Sequence, residues 1–192
     1  MTRNGYSLLE LLFAVAALAT LSGIAVPPVL AALDGQRTAG AARYIAARIQ
    51  RIRMEAVSRS TNVALRFVPT ASGYWFRVYI DGDGDGVRTD DITQSIDRPL
   101  GAIERLPDNF ADVDFATLPN LPAPDAGSTP PGTDPIKLGT SDLLSYSALG
   151  TCSSGSLYVR GKTTQFVVRV YGDTGRTRIL KFDARQRQWV GL

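Results

Sequence analysis

Gly5-Tyr6-Ser7-Leu8-Leu9-Glu10-Leu11-Leu12-Phe13-Ala14 opens the stretch that decides how this chain is read, and Leu, Ala, Val and Ile carry it on to Leu33. From Leu11 to Leu33 no side chain ionises. As a helix this run is roughly 35 Å long at about 1.5 Å per residue, enough to cross a bilayer core of about 30 Å. Arg3 precedes it and no basic residue directly follows, which favours an amino end in the cytoplasm. Two features set it apart from a plain span. Pro27-Pro28 lies inside it and is expected to kink or loosen the helix, because each ring lacks an amide donor and crowds the preceding turn. Glu10 stands at its front edge. A carboxylate at the centre of a membrane helix costs about 2.5–3.5 kcal/mol, and less near an end, so such a charge usually has a partner and a function.

A cleaved secretory signal is the rival reading, with Val29-Leu30-Ala31 as a small-residue cleavage site. A Glu at the front of the hydrophobic core, and Pro-Pro close to the cut, count against it.

The order Gly5, aromatic Tyr6, hydroxyl Ser7, apolar Leu8-Leu9 and Glu10, ahead of a charge-free run, resembles the prepilin signature of type IV pilins and type II secretion pseudopilins. The resemblance implies a leader of residues 1–5, cut after Gly5 by a membrane prepilin peptidase that methylates the new amino terminus, Tyr6. The family normally has Phe where Tyr6 stands, a conservative departure. It has a Glu matching Glu10, and often a Pro where Pro27 stands. It also implies residues 6–33 as an inner-membrane and assembly helix, residues 34–192 as a periplasmic domain, and other pilins or pseudopilins as filament partners. The physics of Glu10 agrees. Once Tyr6 carries an α-amino group, Glu10 is the opposite charge one helical turn on. In staggered subunits the Glu of one can meet the amine of the next. An unpaired charge in an apolar surround is costly, so pairing sets the register.

Composition narrows the rest. The chain has 192 residues, 44% apolar and 20% charged, an ordinary globular balance. It has no histidine, which removes imidazole bases, Ser-His-Asp and Cys-His sites and HExxH zinc sites. Its one cysteine, Cys152, removes intrachain disulfides and Cys-rich metal sites. A structural, assembly or binding protein is favoured over an enzyme. The net charge of +3 conceals a pattern. Residues 34–68 hold seven Arg and two acids, residues 69–156 five basic residues and thirteen acids, and residues 157–192 eight basic residues and two acids. Such asymmetry fits contact with a polyanion, subunits meeting through opposite charges, or simply solvated faces.

Downstream, Ile45, Ile49, Ile52 and Ala56 form one apolar stripe on a helix over 34–59, with Arg43, Arg51 and Arg53 flanking it. Gly35 and Gly40 are expected to give its junction some flexibility. Residues 62–69 and 74–81 alternate as two strands of a hairpin turning at Ala71-Ser72-Gly73, with Trp75 and Phe76 on opposite faces. Residues 119–135 are rich in Pro, Gly, Ala, Asp, Ser and Thr, and read as a flexible surface loop with no core. Residues 156–160, 164–171 and 177–182 read as a three-stranded meander turning at Gly161-Lys162 and Asp173-Thr174-Gly175, with Trp189 closing the sheet. The expected fold is α+β: a long amino-terminal hydrophobic helix packed on an antiparallel sheet. This downstream order resembles the GspH/FimT group of minor pseudopilins and pilins, though the 119–135 loop has no counterpart in it.

Two further clusters are candidates. Asp81-Gly82-Asp83-Gly84-Asp85-Gly86 places carboxylates at positions 1, 3 and 5 with Gly at 6, the opening of an EF-hand-type calcium loop. Ile92 occupies the place of the closing Glu, so Asp90 or Asp91 would have to complete the shell. The alternative is a Gly-rich turn whose Asp side chains bond nearby amides. Gly175-Arg176-Thr177-Arg178 puts two guanidinium groups on one face of a strand, with Lys181, Arg185 and Arg187 following. Forked guanidinium groups suit phosphate oxygens. Some FimT-like minor pilins are thought to bind DNA during uptake through such an element, so DNA is a candidate partner by resemblance, and a brace for the sheet is the alternative.

Overall fold

The computed structural model describes residues 7–125 and 127–192. The expected cut and methylation at Gly5 and Tyr6 lie outside the described residues, as does Ala126 in the proline-rich loop.

Helix α1 (Leu8–Arg59) is one continuous element of 52 residues. Ser7 caps it: its hydroxyl accepts from the Glu10 amide at 3.2 Å, while the Glu10 carboxylate accepts from the Ser7 amide at 3.4 Å. The helix ends where Ser60 takes a left-handed conformation (φ 52°) and donates to the Ala56 and Val57 carbonyls. The helix runs through Pro27-Pro28 without a break. The two rings delete only the donors that would reach Gly23 and Ile24, and the long helical runs on either side carry the segment across. The helix is also unbroken at Gly40, where the missing side chain leaves room for the Phe110 ring.

Strands β1 (Val63–Thr70) and β2 (Gly73–Ile80) form the expected hairpin, pairing Val63 with Ile80 and Thr70 with Gly73. Short elements follow: α2 (Thr89–Thr93), β3 (Arg98–Pro99), α3 (Leu106–Asn109), β4 (Asp114–Phe115), β5 (Ile136–Lys137) and β6 (Leu143–Tyr146). Strands β7 (Gly155–Arg160), β8 (Gln165–Tyr171), β9 (Arg176–Asp183) and β10 (Gln188–Gly191) complete the chain. One antiparallel sheet runs β3-β2-β1-β6; the other runs β10-β9-β8-β7-β4, with β5 also on β7. The expected three-stranded meander therefore has a fourth strand, which carries Trp189.

The stripe Ile45, Ile49, Ile52 and Ala56 is buried against both sheets, in one core with Phe67, Phe76, Leu157, Phe166 and Val168. Burying each of these large side chains contributes about 1.5–3 kcal/mol. Arg48 and Tyr44 both bond the Glu104 carboxylate, tying α1 to the segment that bridges Phe76. Trp75 is half-buried on the face opposite Phe76, which is fully buried.

The 119–135 loop corrects the sequence reading. It is irregular, but it has a core of its own: Leu121 is buried with Tyr158, Val167 and Leu180 on the outer face of the second sheet. Trp189 Nε1 donates to the Pro122 carbonyl at 3.0 Å. The cause lies in β8. Phe166, Val167 and Val168 are apolar on both faces, so the side away from α1 also needs a cover. Cys152 is half-buried and unbridged, and burial pushes its thiol up.

Candidate assembly interface

Among the described residues, the amino-terminal half of α1 packs against nothing. Leu9, Phe13 and Ile24 are 80%, 78% and 76% exposed, and every residue from Leu8 to Leu33 is exposed. The helix is long and apolar enough to cross a membrane. Thr20, inside this half, donates its hydroxyl to the Ala17 carbonyl at 2.8 Å, so it offers lipid no bare donor. An apolar surface of this extent requires a bilayer or other helices around it. At its tip Glu10 is the lone acid, with one carboxylate oxygen on the Ser7 amide. The chain is 42% identical over 78 residues to the pilin-like protein PilA1 of Thermus thermophilus, a match covering 38% of this chain and 47% of that protein. The architecture is pilin-like. The chain spans about half the length of the curated relative it matches. No protein-family model matches it, and no solved structure does.

The junction between the bare and the packed halves is built on Asp34, which the sequence reading missed. Its carboxylate accepts from the Lys162 amide (2.7 Å), the Thr163 amide and hydroxyl (3.0 Å each) and the Thr164 amide (3.0 Å). Burial pushes the Asp34 carboxyl up, but the bonds from this turn outweigh it and hold the group below the usual carboxylate range. Gly161 has to be Gly, since any side chain there would collide with Asp34 and Thr38. A signal was present: Asp34 is the first charge after the apolar run, and 161–164 is a tight Gly-led turn.

The structure brings Asp81, Asp83 and Asp85 together, each with an oxygen within 4.8 Å of the others. Asp90 and Asp91 are not in that group; they ride on α2. Asp81 accepts from the amides of Asp83, Gly84 and Gly86 at 2.7–3.2 Å and from Asn62 Nδ2 at 2.7 Å, as the Gly-rich turn requires. Burial raises the Asp81 carboxyl, and these four donors bring it net below the usual range. A second carboxylate, fully buried Asp97, accepts from the Gly82 and Arg88 amides at 3.0 and 2.9 Å; the sequence reading did not find it. The donors form the first half of a calcium loop without its second half, and two internal carboxylates already close the turn.

Arg176 and Arg178 are exposed on the outer face of β9, opposite Tyr171 and Arg169 of β8. Arg169 is neutralised there by Asp125 at 2.6 Å. Lys181 does not join them. Strand alternation puts it on the other face, paired with Phe166 on the side that meets α1.

Proposed function

We propose that this protein is a minor pilin or pseudopilin. It is made as a prepilin, cut between Gly5 and Tyr6, methylated at Tyr6, held in the inner membrane by residues 6–33 and drawn into a filament with its 34–192 domain on the periplasmic side. One observation carries this reading: a single unbroken helix is bare and apolar over one half, with a lone acid at its tip, and is the buried spine of an α+β domain over the other. Its role is structural, with no catalysis of its own. The continuity of α1 through Val29, Leu30 and Ala31 supports retention, because a cut there would end the helix just before the Asp34 clasp. Mass spectrometry of the protein from its native host is expected to find a chain starting at N-methylated Tyr6. A chain starting at Ala32 and free of lipid would overturn the reading.

A second reading, a DNA-binding minor pilin of an uptake pilus, is favoured by Arg176 and Arg178 sharing one exposed face. If it holds, the full chain in detergent is retained on double-stranded DNA at low salt, and Arg176→Gln weakens retention several-fold. No retention of the parent chain would sink it.

A further inference from the structure

The end of the domain from which the bare helix emerges is ringed by cations that lie far apart in sequence. Asp34, directly after the apolar run, holds the turn between β7 and β8, which presents exposed Lys162. Strand β9 runs to the same end, since Lys181 pairs with Phe166, one residue in from the end pair Arg160–Gln165. Its turn to β10 adds Arg185. The acids here are largely used up: Asp34 by amides of 162–164, Asp183 by the Arg185 and Gln186 amides, and Asp112 by Arg37 and Lys162 together. Among the described residues Lys181, Arg43 and Arg185 have no carboxylate partner.

Between α1 and the last two strands lies a groove of about 620 Å³. Ala31, Ala32 and Gly35 extend the apolar surface of the bare helix into it, Lys181 and Arg43 line it, and exposed Leu192 borders it. The Asp81 loop lies at the opposite end of the domain, beside Asn62 just past the carboxyl end of α1. Positive charge thus lines the groove that continues from the apolar helix.

We propose that this rim is a docking surface for anionic phospholipid headgroups, an acyl chain lying along Ala31, Ala32 and Gly35 and its phosphate between Lys181 and Arg43, with Lys162 and Arg185 as flanking charges. The proposal rests on the membrane-anchor reading above. Apolar floor and cationic mouth follow each other in the order in which a phospholipid presents tail and headgroup. A cation near an anionic surface strengthens the attachment about five-fold, and salt screens the effect. Docking would set the domain upright on the bilayer before its extraction into a filament.

The test is amide hydrogen exchange of the full chain in nanodiscs of phosphatidylcholine, with and without phosphatidylglycerol. Phosphatidylglycerol is expected to slow exchange about five-fold or more in the 161–164 turn and β10. High salt or Lys181→Gln with Arg43→Gln removes the slowing, and Lys181→Arg keeps it, while residues 8–33 stay protected throughout. Equal exchange in both lipids with the helix protected overturns the proposal and leaves the anchor reading intact. An unprotected helix overturns both. Slowing that follows the number of protein copies per disc and not the lipid charge gives the rim to a neighbouring subunit and also overturns the proposal.

Discussion

On the reading proposed above, replacing Glu10 by alanine is expected to leave the protein in the membrane and remove it from the filament. Insertion depends on the apolar run, whose exposed residues the change does not touch, and losing a carboxylate makes insertion easier. Assembly is different. One Glu10 oxygen is engaged by the Ser7 amide; among the described residues the other has no partner. In the proposed filament the cut amino terminus of a neighbour fills that place. Removing one member of an ion pair buried in apolar surroundings costs about 3–5 kcal/mol, because the remaining charge is stranded. Incorporation should therefore fall by a factor of roughly a hundred or more, the equivalent of about 3 kcal/mol. Glu10→Gln separates charge from capping. Glutamine retains the capping-box bond to the Ser7 amide but carries no charge, so it should fail nearly as badly as alanine. Immunoblots of sheared filaments against the membrane fraction read both outcomes. A Glu10→Gln subunit recovered in filaments at the wild-type level would show that the carboxylate acts only as a helix cap.

What could be read in advance follows the range of the interactions involved. The stripe Ile45, Ile49, Ile52 and Ala56 and the alternation of Val63, Leu65 and Phe67 are local periodicities, and both became buried faces. The charge-free run to Leu33 is local as well. The missed strands are two to four residues long, too short for a period to show: Leu143–Tyr146 is a strand because it pairs with β1, about eighty residues earlier in the chain. The proline-rich loop was misjudged for a related reason. Composition spoke of 119–135 alone, whereas the need for a cover arose in Val167 and Leu180, on strands far downstream. At the charged sites, spacing found the Asp81, Asp83 and Asp85 convergence and the shared face of Arg176 and Arg178. The step of three from Arg178 to Lys181 already places Lys181 on the other face of the strand, but spacing could not show that this face meets α1. Nor could spacing reveal Asp34, Asp97 or the cationic rim. Each joins residues from distant parts of the chain.

Asp34→Ala should destabilise the domain most among single polar changes, by about 3 kcal/mol. Three consecutive amides, of Lys162, Thr163 and Thr164, converge on that carboxylate, and each donor left unsatisfied in a buried setting costs about 1–3 kcal/mol. The turn is partly open to water, which keeps the total near the lower end of that range. Asp34→Asn keeps one accepting oxygen and should lose about half as much. The effect has a pH signature. Asp34 and Asp81 are held below the ordinary carboxylate range in the folded chain. A depressed group binds protons less readily folded than unfolded. Its contribution is therefore complete above the unfolded value of about 3.9 and is lost as pH falls through the folded value. Asp114 has the opposite sign: burial raises it, so its cost at neutral pH is relieved on acidification. Urea melts of the full chain in detergent at pH 7 and at pH 3 separate the two. The gap between parent and Asp34→Ala should be wider at pH 7 than at pH 3, since Asp114 is common to both proteins and cancels. A gap independent of pH would mean that residue 34 acts through packing and not through its charge. The consequence reaches beyond stability, because this clasp joins the last turn of the bare helix to the far sheet. If it opens, the 161–164 turn comes away from the helix while Ile45, Ile49, Ile52 and Ala56 still hold the domain on it, so in the proposed filament the altered surface is the one just above the bare half.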